Sequence, residues 1–115
     1  MSTEFNIDVV GLTFVAGYPS NLYRLEELMA DAEASGEPLA LLLVRNPNNE
    51  FDSNAIEVHV PALGDAGMVG HVARQMAAHL ARRLDNGEQY TAYPSWVRIN
   101  PEHEDYPGLT ITVAM

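Results

Sequence analysis

Only two stretches of this chain repeat their apolar residues at helical spacing, and most of the rest reads as short strands. Over residues 21–35, Leu22, Leu25, Leu28, Met29 and Ala32 share one helical face, while Glu26, Glu27, Asp31 and Glu33 fall mostly elsewhere. Ser20 or Asn21 is placed to cap that helix and Gly36 to close it. Over residues 73–85 the apolar stripe is Met76, Ala77, Leu80, Ala81 and Leu84, led in by Val72. Gly87 stands just past its end, and Arg82 and Arg83 lie in the last turn, where cations suit the helix dipole.

The remaining apolar residues come in runs too short for helices. Residues 5–15 read as a strand with Gly11 as a bulge or point of close approach. Residues 39–45 form an apolar run, expected to be a buried strand. Residues 55–60 alternate cleanly, with Ile56, Val58 and Val60 on one side and Glu57 and His59 on the other. Residues 68–71, 90–99 and 109–114 supply the last strands, with Tyr93 and Trp96 expected to pack within theirs or, as the alternative, to offer bases an exposed platform. Five or six strands mixed with two helices predict an α+β, mainly β fold: a curled sheet or small barrel, in one domain over residues 1–115.

At 115 residues the chain is long enough for one core without disulfide or metal staples. It has no cysteine, which excludes a disulfide framework, a thiolate nucleophile and any Cys-based zinc site. Neither a signal peptide nor a membrane span is expected, and the composition fits a cytoplasmic protein. Sixteen acids against six arginines, with no lysine, give a net charge of −10. The acids crowd the ends: residues 38–100 hold six acids and five arginines and are nearly neutral. Strong, non-specific binding to duplex DNA is therefore not expected, because that needs a basic surface that releases counterions. Any nucleic-acid contact has to come from a local pocket.

The most informative segment is RNPNNEFDSNAI, Arg45 to Ile56, followed by MVGHVARQMAAHLARRLDN, Met68 to Asn86. Read physically, the first is a strand end, an Asn/Pro turn, an aromatic–acid pair and a new strand. Asn48, Asn49, Asp52 and Asn54 suit such a loop because their side chains bond nearby backbone. A purely loop-shaping role accounts for them on composition alone.

The same pattern resembles the signature of the HIRAN domain family. So do the Val9-Val10-Gly11-Leu12 opening and the later Val-Gly-His leading into an Ala- and Leu-rich helix. The resemblance runs from about Val9 to Asn86 and includes free-standing bacterial or phage members. It implies a small OB-like six-stranded β-barrel with two α-helices. It also implies a non-catalytic module that holds the 3′-hydroxyl end of single-stranded DNA in repair or replication processing, as in the helicase-like transcription factor of this family. A helicase or nuclease partner is then expected, with no cofactor, metal or membrane. Phe51 stands at the position of a stacking aromatic and Asp52 at that of the end-sensing acid. Phe14 matches a second stacking aromatic and Asn49 a loop residue near the end nucleotide. His71 matches a polar contact beside the end phosphate, and Arg74 falls where a phosphate-binding Lys is found. Three features depart from the pattern: Phe51 and Phe14 lack the hydroxyl of Tyr, Thr13 replaces an Arg, and the surroundings are acidic.

Other chemistry is poorly represented. His71 and His79 have no acid beside them to complete a zinc set. Glu102, His103, Glu104 and Asp105 make a compact acidic loop that suits at most a loosely held cation. There is no Walker or Rossmann glycine loop, and Ser20, Ser35, Ser53 and Ser95 lack a nucleophile-elbow setting. An enzyme is not expected. The competing reading is a protein-interaction module, an adaptor or DNA mimic that keeps the fold without binding DNA and offers its acidic helix to a basic partner.

Overall fold

The computed structural model describes residues 3–103 and 106–115, the side chains of residues 65 and 66 excepted. The strands are β1 (Glu4–Val10), β2 (Leu42–Arg45), β3 (Ile56–His59), β4 (Met68–Val72), β5 (Thr91–Arg98) and β6 (Gly108–Ala114). The helices are α1 (Ser20–Ser35) and α2 (Arg74–Asp85). All strand pairings are antiparallel, in the order β2-β3-β4-β1-β6-β5.

The sheet curls into a half-barrel whose two edges meet. The Leu41 N–H donates to the Ala92 carbonyl at 2.8 Å. The Tyr90 hydroxyl bridges the same gap, accepting from the Leu43 N–H at 2.9 Å and donating to its carbonyl at 3.3 Å. Ile7, Val9, Ile56, Val58, Val69, Ile111 and Val113 point inward, and Leu22 and Leu25 of α1 and Ala77, Leu80 and Ala81 of α2 join the same core. The alternation in β3 is realised as expected: Ile56, Val58 and Val60 are buried, and Glu57 and His59 face outward.

Three local expectations are corrected. The first strand ends at Val10, five residues early, because Gly11 takes a left-handed conformation (φ 73°) and turns the chain into a 3-10 turn over Leu12–Phe14. The run 39–45 yields a strand only from Leu42 and is not buried throughout. It lies at the sheet edge, with Leu41 and Leu43 inward and Leu42 half exposed. Neither Ser20 nor Asn21 caps α1. Pro19 precedes the first turn, and its carbonyl and that of Gly17 take the first N–H groups. The buried Asn21 amide instead donates to the Met68 carbonyl at 3.3 Å, tying α1 to β4. The helix ends behave as expected: the Gly36 N–H bonds the Ala32 carbonyl, and the Gly87 N–H bonds that of Leu84. No helix among the described residues is long and apolar enough to cross a membrane.

Candidate nucleic-acid interface

The loop between β2 and β3 is shaped by its own polar side chains. Asn49 Oδ1 accepts from the Phe51 and Asp52 N–H groups, at 2.9 and 3.0 Å. Asp52 Oδ1 accepts from the Asn54 N–H at 2.9 Å, and the Asp52 carbonyl accepts from the Ala55 N–H. Arg45 braces the loop from below, donating to the Ser53 and Ala55 carbonyls and pairing with Asp85 at the end of α2. The loop-shaping reading therefore holds for Asn49 and Asp52. It leaves each a polar group to spare: the Asn49 Nδ2 and Asp52 Oδ2 take no part in these turns.

The same bracing turns Phe51 outward, 82% exposed at the loop tip. The turn at Gly11 does likewise for Phe14, which is 92% exposed, so a core role for that ring is excluded. Burying a Phe side chain stabilises a fold by about 1.5–3 kcal/mol. Two rings forgoing that stabilisation, on separate elements beside one hollow, form a patch suited to contact.

Two adjoining hollows collect all six of the expected site residues. The larger, about 620 Å³, lies between Phe14 and Phe51 and is also lined by Asn49, Met68 and His71. The smaller, about 290 Å³, is lined by Asn49, Phe51, Asp52, His71 and Arg74, with Val10 and Gly11 beneath. Gly11, Asn49, Phe51 and His71 belong to both.

The walls come from strands remote in sequence. His71 lies on β4, opposite Val10 of β1 and Glu57 of β3. It is thus a strand residue, off the helix that carries His79, and His79 packs edge-on against Phe5 instead. The floor depends on Gly70: a Cβ there would lie 2.7 Å from the Val10 carbonyl oxygen and from Val9 Cγ1. Only glycine lets β4 approach β1 so closely.

Arg74 is the first residue of α2 and lies above Asp52, its Nε 3.9 Å from Asp52 Oδ2. Asp52 is mostly sheltered and Arg74 is 82% exposed, so the pair is loose and can open. No side chain caps α2 at this end. Its start presents the exposed, loosely paired Arg74 guanidinium beside the positive end of the helix dipole, a setting that welcomes an anion. Of the other arginines, Arg45 is committed to Asp85 and the loop, and Arg82 lines neither hollow.

Two residues of the surface, Arg98 and Tyr106, were missed from sequence. Beyond Phe14 a third hollow of about 380 Å³ is lined by Thr13, Phe14, Arg98 and Tyr106. Arg98 stacks over Trp96 at 5.7 Å and donates to the Tyr106 carbonyl at 3.3 Å. Trp96 is half exposed on β5 rather than packed away, and Tyr93 is also partly exposed. The alternating aromatic–cation order of Trp96, Arg98 and Tyr106 was the available signal; their meeting with Phe14 is a tertiary event. Of the acidic loop 102–105, Glu104 and Asp105 lie outside the described residues. Among the described residues, no group of three or more His, Asp or Glu side chains is arranged to hold a metal.

Two solved structures share this architecture. One is the HIRAN domain of human HLTF, with a TM-score of 0.63 and 23% identity, matched over 98% of this chain and 77% of that one. The other is a protein from Lactobacillus plantarum, with a TM-score of 0.60 and 21% identity, matched over 99% of this chain and 96% of that one. At these identities the likeness speaks for the fold. No curated protein matches the sequence. The HIRAN domain family model matches residues 3–110, nearly the whole half-barrel, and the chain belongs to the HIRAN domain family.

Proposed function

We propose that this protein is a nucleic-acid-binding module that holds the free 3′ end of a single strand. The observation that carries the proposal is the lining of one small hollow by Phe51, Asp52, His71 and Arg74, with Phe14 across the adjoining one. An aromatic ring, a carboxylate and a cation at such a spacing suit a terminal nucleotide: base on ring, sugar hydroxyl on acid, phosphate on cation. Stacking accepts every base, because each has a π-face.

Asp52 supplies the selection. With Oδ1 tied to the Asn54 N–H, Oδ2 is left to accept from a terminal 3′ hydroxyl. A 3′ phosphate has fewer protons to give and sets like charges face to face, which disfavours it. Arg74 can swing from its loose pairing with Asp52 to the preceding phosphate, and His71 stands on the strand beneath. Thr13 and Arg98 line the way out past Phe14, so the strand leaves over Tyr106. Handing such ends to a helicase or nuclease during repair or replication is the role that follows.

The test is a titration of one short labelled oligonucleotide, ending in a 3′ hydroxyl or a 3′ phosphate. The hydroxyl form should bind more tightly, and Asp52→Ala should erase the difference. Equal affinity of the native protein for both removes end recognition. No binding of either at low salt removes the nucleic-acid reading altogether.

A further inference from the structure

A separate groove, about 480 Å³ in volume, runs between α1 and the edge strand β5 and shares no lining residue with the three hollows described above. Its apolar walls include Met29 and Ala30 from α1, Leu39 from the chain leading to β2, and Pro94 and Val97 from β5. Glu26 and Glu33 stand on its rim. Neither takes part in an ion pair among the described residues, and no Arg lines the groove. Glu26, Met29, Ala30 and Glu33 follow one another at helical spacing, so acid, apolar pair and acid form one stripe two turns long, or about 10 Å.

We infer that this groove docks a basic amphipathic helix of a partner protein, with a cation at i and i+7 and apolar side chains between them. Two observations fix the class. The acids on the rim, with no Arg lining the groove, repel phosphate backbones and anionic lipid from this face while attracting cations, so local charge selects the partner. The β5 edge cannot readily take an added strand. Pro94 lacks an N–H, the strand is irregular between Pro94 and Trp96, and the Ala92 carbonyl is already used by Leu41. An extended peptide therefore has little ladder to bind, which leaves docking of a helix by its side chains.

The experiment uses the full chain, isotopically labelled and followed by amide NMR. The probe is a synthetic peptide of about 18 residues, long enough to be partly helical alone. It carries Arg at i and i+7 and Leu at i+3 and i+4, with Ala and Gln elsewhere. Shifts should concentrate on residues 26–33 and 93–97. Each exposed ion pair is worth up to about fivefold, so Glu26→Gln with Glu33→Gln should weaken binding several-fold beyond either alone. Glu27→Gln with Asp31→Gln, on the same helix but off the groove, should change it little. The inference is overturned if the peptide does not bind or shifts amides all over the acidic surface. It is equally overturned if both double variants weaken binding alike, or if a peptide with Gln in place of both Leu binds as well.

Discussion

Removing the ring of Phe51 should separate binding from folding. The side chain is 82% exposed and held out by a loop whose bonds are made by Asn49, Asp52 and Arg45, none of which needs the ring. Phe51→Ala should therefore change folding stability by no more than about 0.5 kcal/mol, as for an ordinary surface position. Affinity for a short single strand should behave differently. Loss of one base–aromatic stack costs about 1–3 kcal/mol. At about 1.4 kcal/mol per tenfold, that is about 5- to 140-fold in Kd. Phe14→Ala, at 92% exposure, should repeat the pattern. The two rings face one hollow, so the double variant should depart from simple additivity. Fluorescence anisotropy with a labelled oligonucleotide reads the affinity, and urea denaturation reads the stability. A stability loss of about 2 kcal/mol or more would mean the ring supports the fold. Unchanged affinity at unchanged stability would refute the stacking platform, and with it the reason for exposing two phenylalanines.

Three further outcomes follow from the same geometry. Gly70→Ala should destabilise the protein by about 1–3 kcal/mol in urea denaturation, because the new methyl meets the Val10 carbonyl oxygen at 2.7 Å and backbone cannot step aside cheaply; wild-type stability would refute the close packing of β4 on β1. The salt dependence of oligonucleotide binding should be shallow. With Arg74 and Arg98 as the arginines lining the three hollows, the slope of log K against log salt should lie near about −0.7 to −1.4, at about −0.7 per phosphate on a single strand; a slope several times steeper would point to a different, basic surface. Glu88 accepts hydrogen bonds from Arg83, which holds its carboxyl below the ordinary 4.5. A carboxyl depressed in the folded state lends stability above its unfolded pKa and loses it as pH falls through the folded value. Denaturation of wild type and Glu88→Gln should accordingly converge in acid and differ, in favour of wild type, near neutrality.

Much of the architecture was legible because it is local. Helical spacing and strand alternation are periods of the backbone itself, so Leu22 and Leu25, Ala77 and Leu80, and Ile56 and Val58 declare their inward faces within a few residues. The misjudged ends were those decided by neighbours. Gly11 is legible as an irregular point, but nothing around Phe14 says that the strand will stop there, and nothing in Asn21 says that its amide will cross to Met68 rather than cap a helix.

The binding surface divides along the same line. The sequence alone determined which residue types are available: an Asn/Asp loop that must fold back on itself, an aromatic and an acid side by side at its tip, and a nearly neutral middle in an acidic chain. The family resemblance groups Phe14, Phe51, His71 and Arg74, but only the tertiary structure decided the two adjoining hollows they line, and that Trp96, Arg98 and Tyr106 extend the surface beyond them. The physical reason is range. Turns and periodicities are set by bonds a few residues apart. A pocket is set by strand order and by how closely β4 can approach β1, which the missing side chain of Gly70 permits.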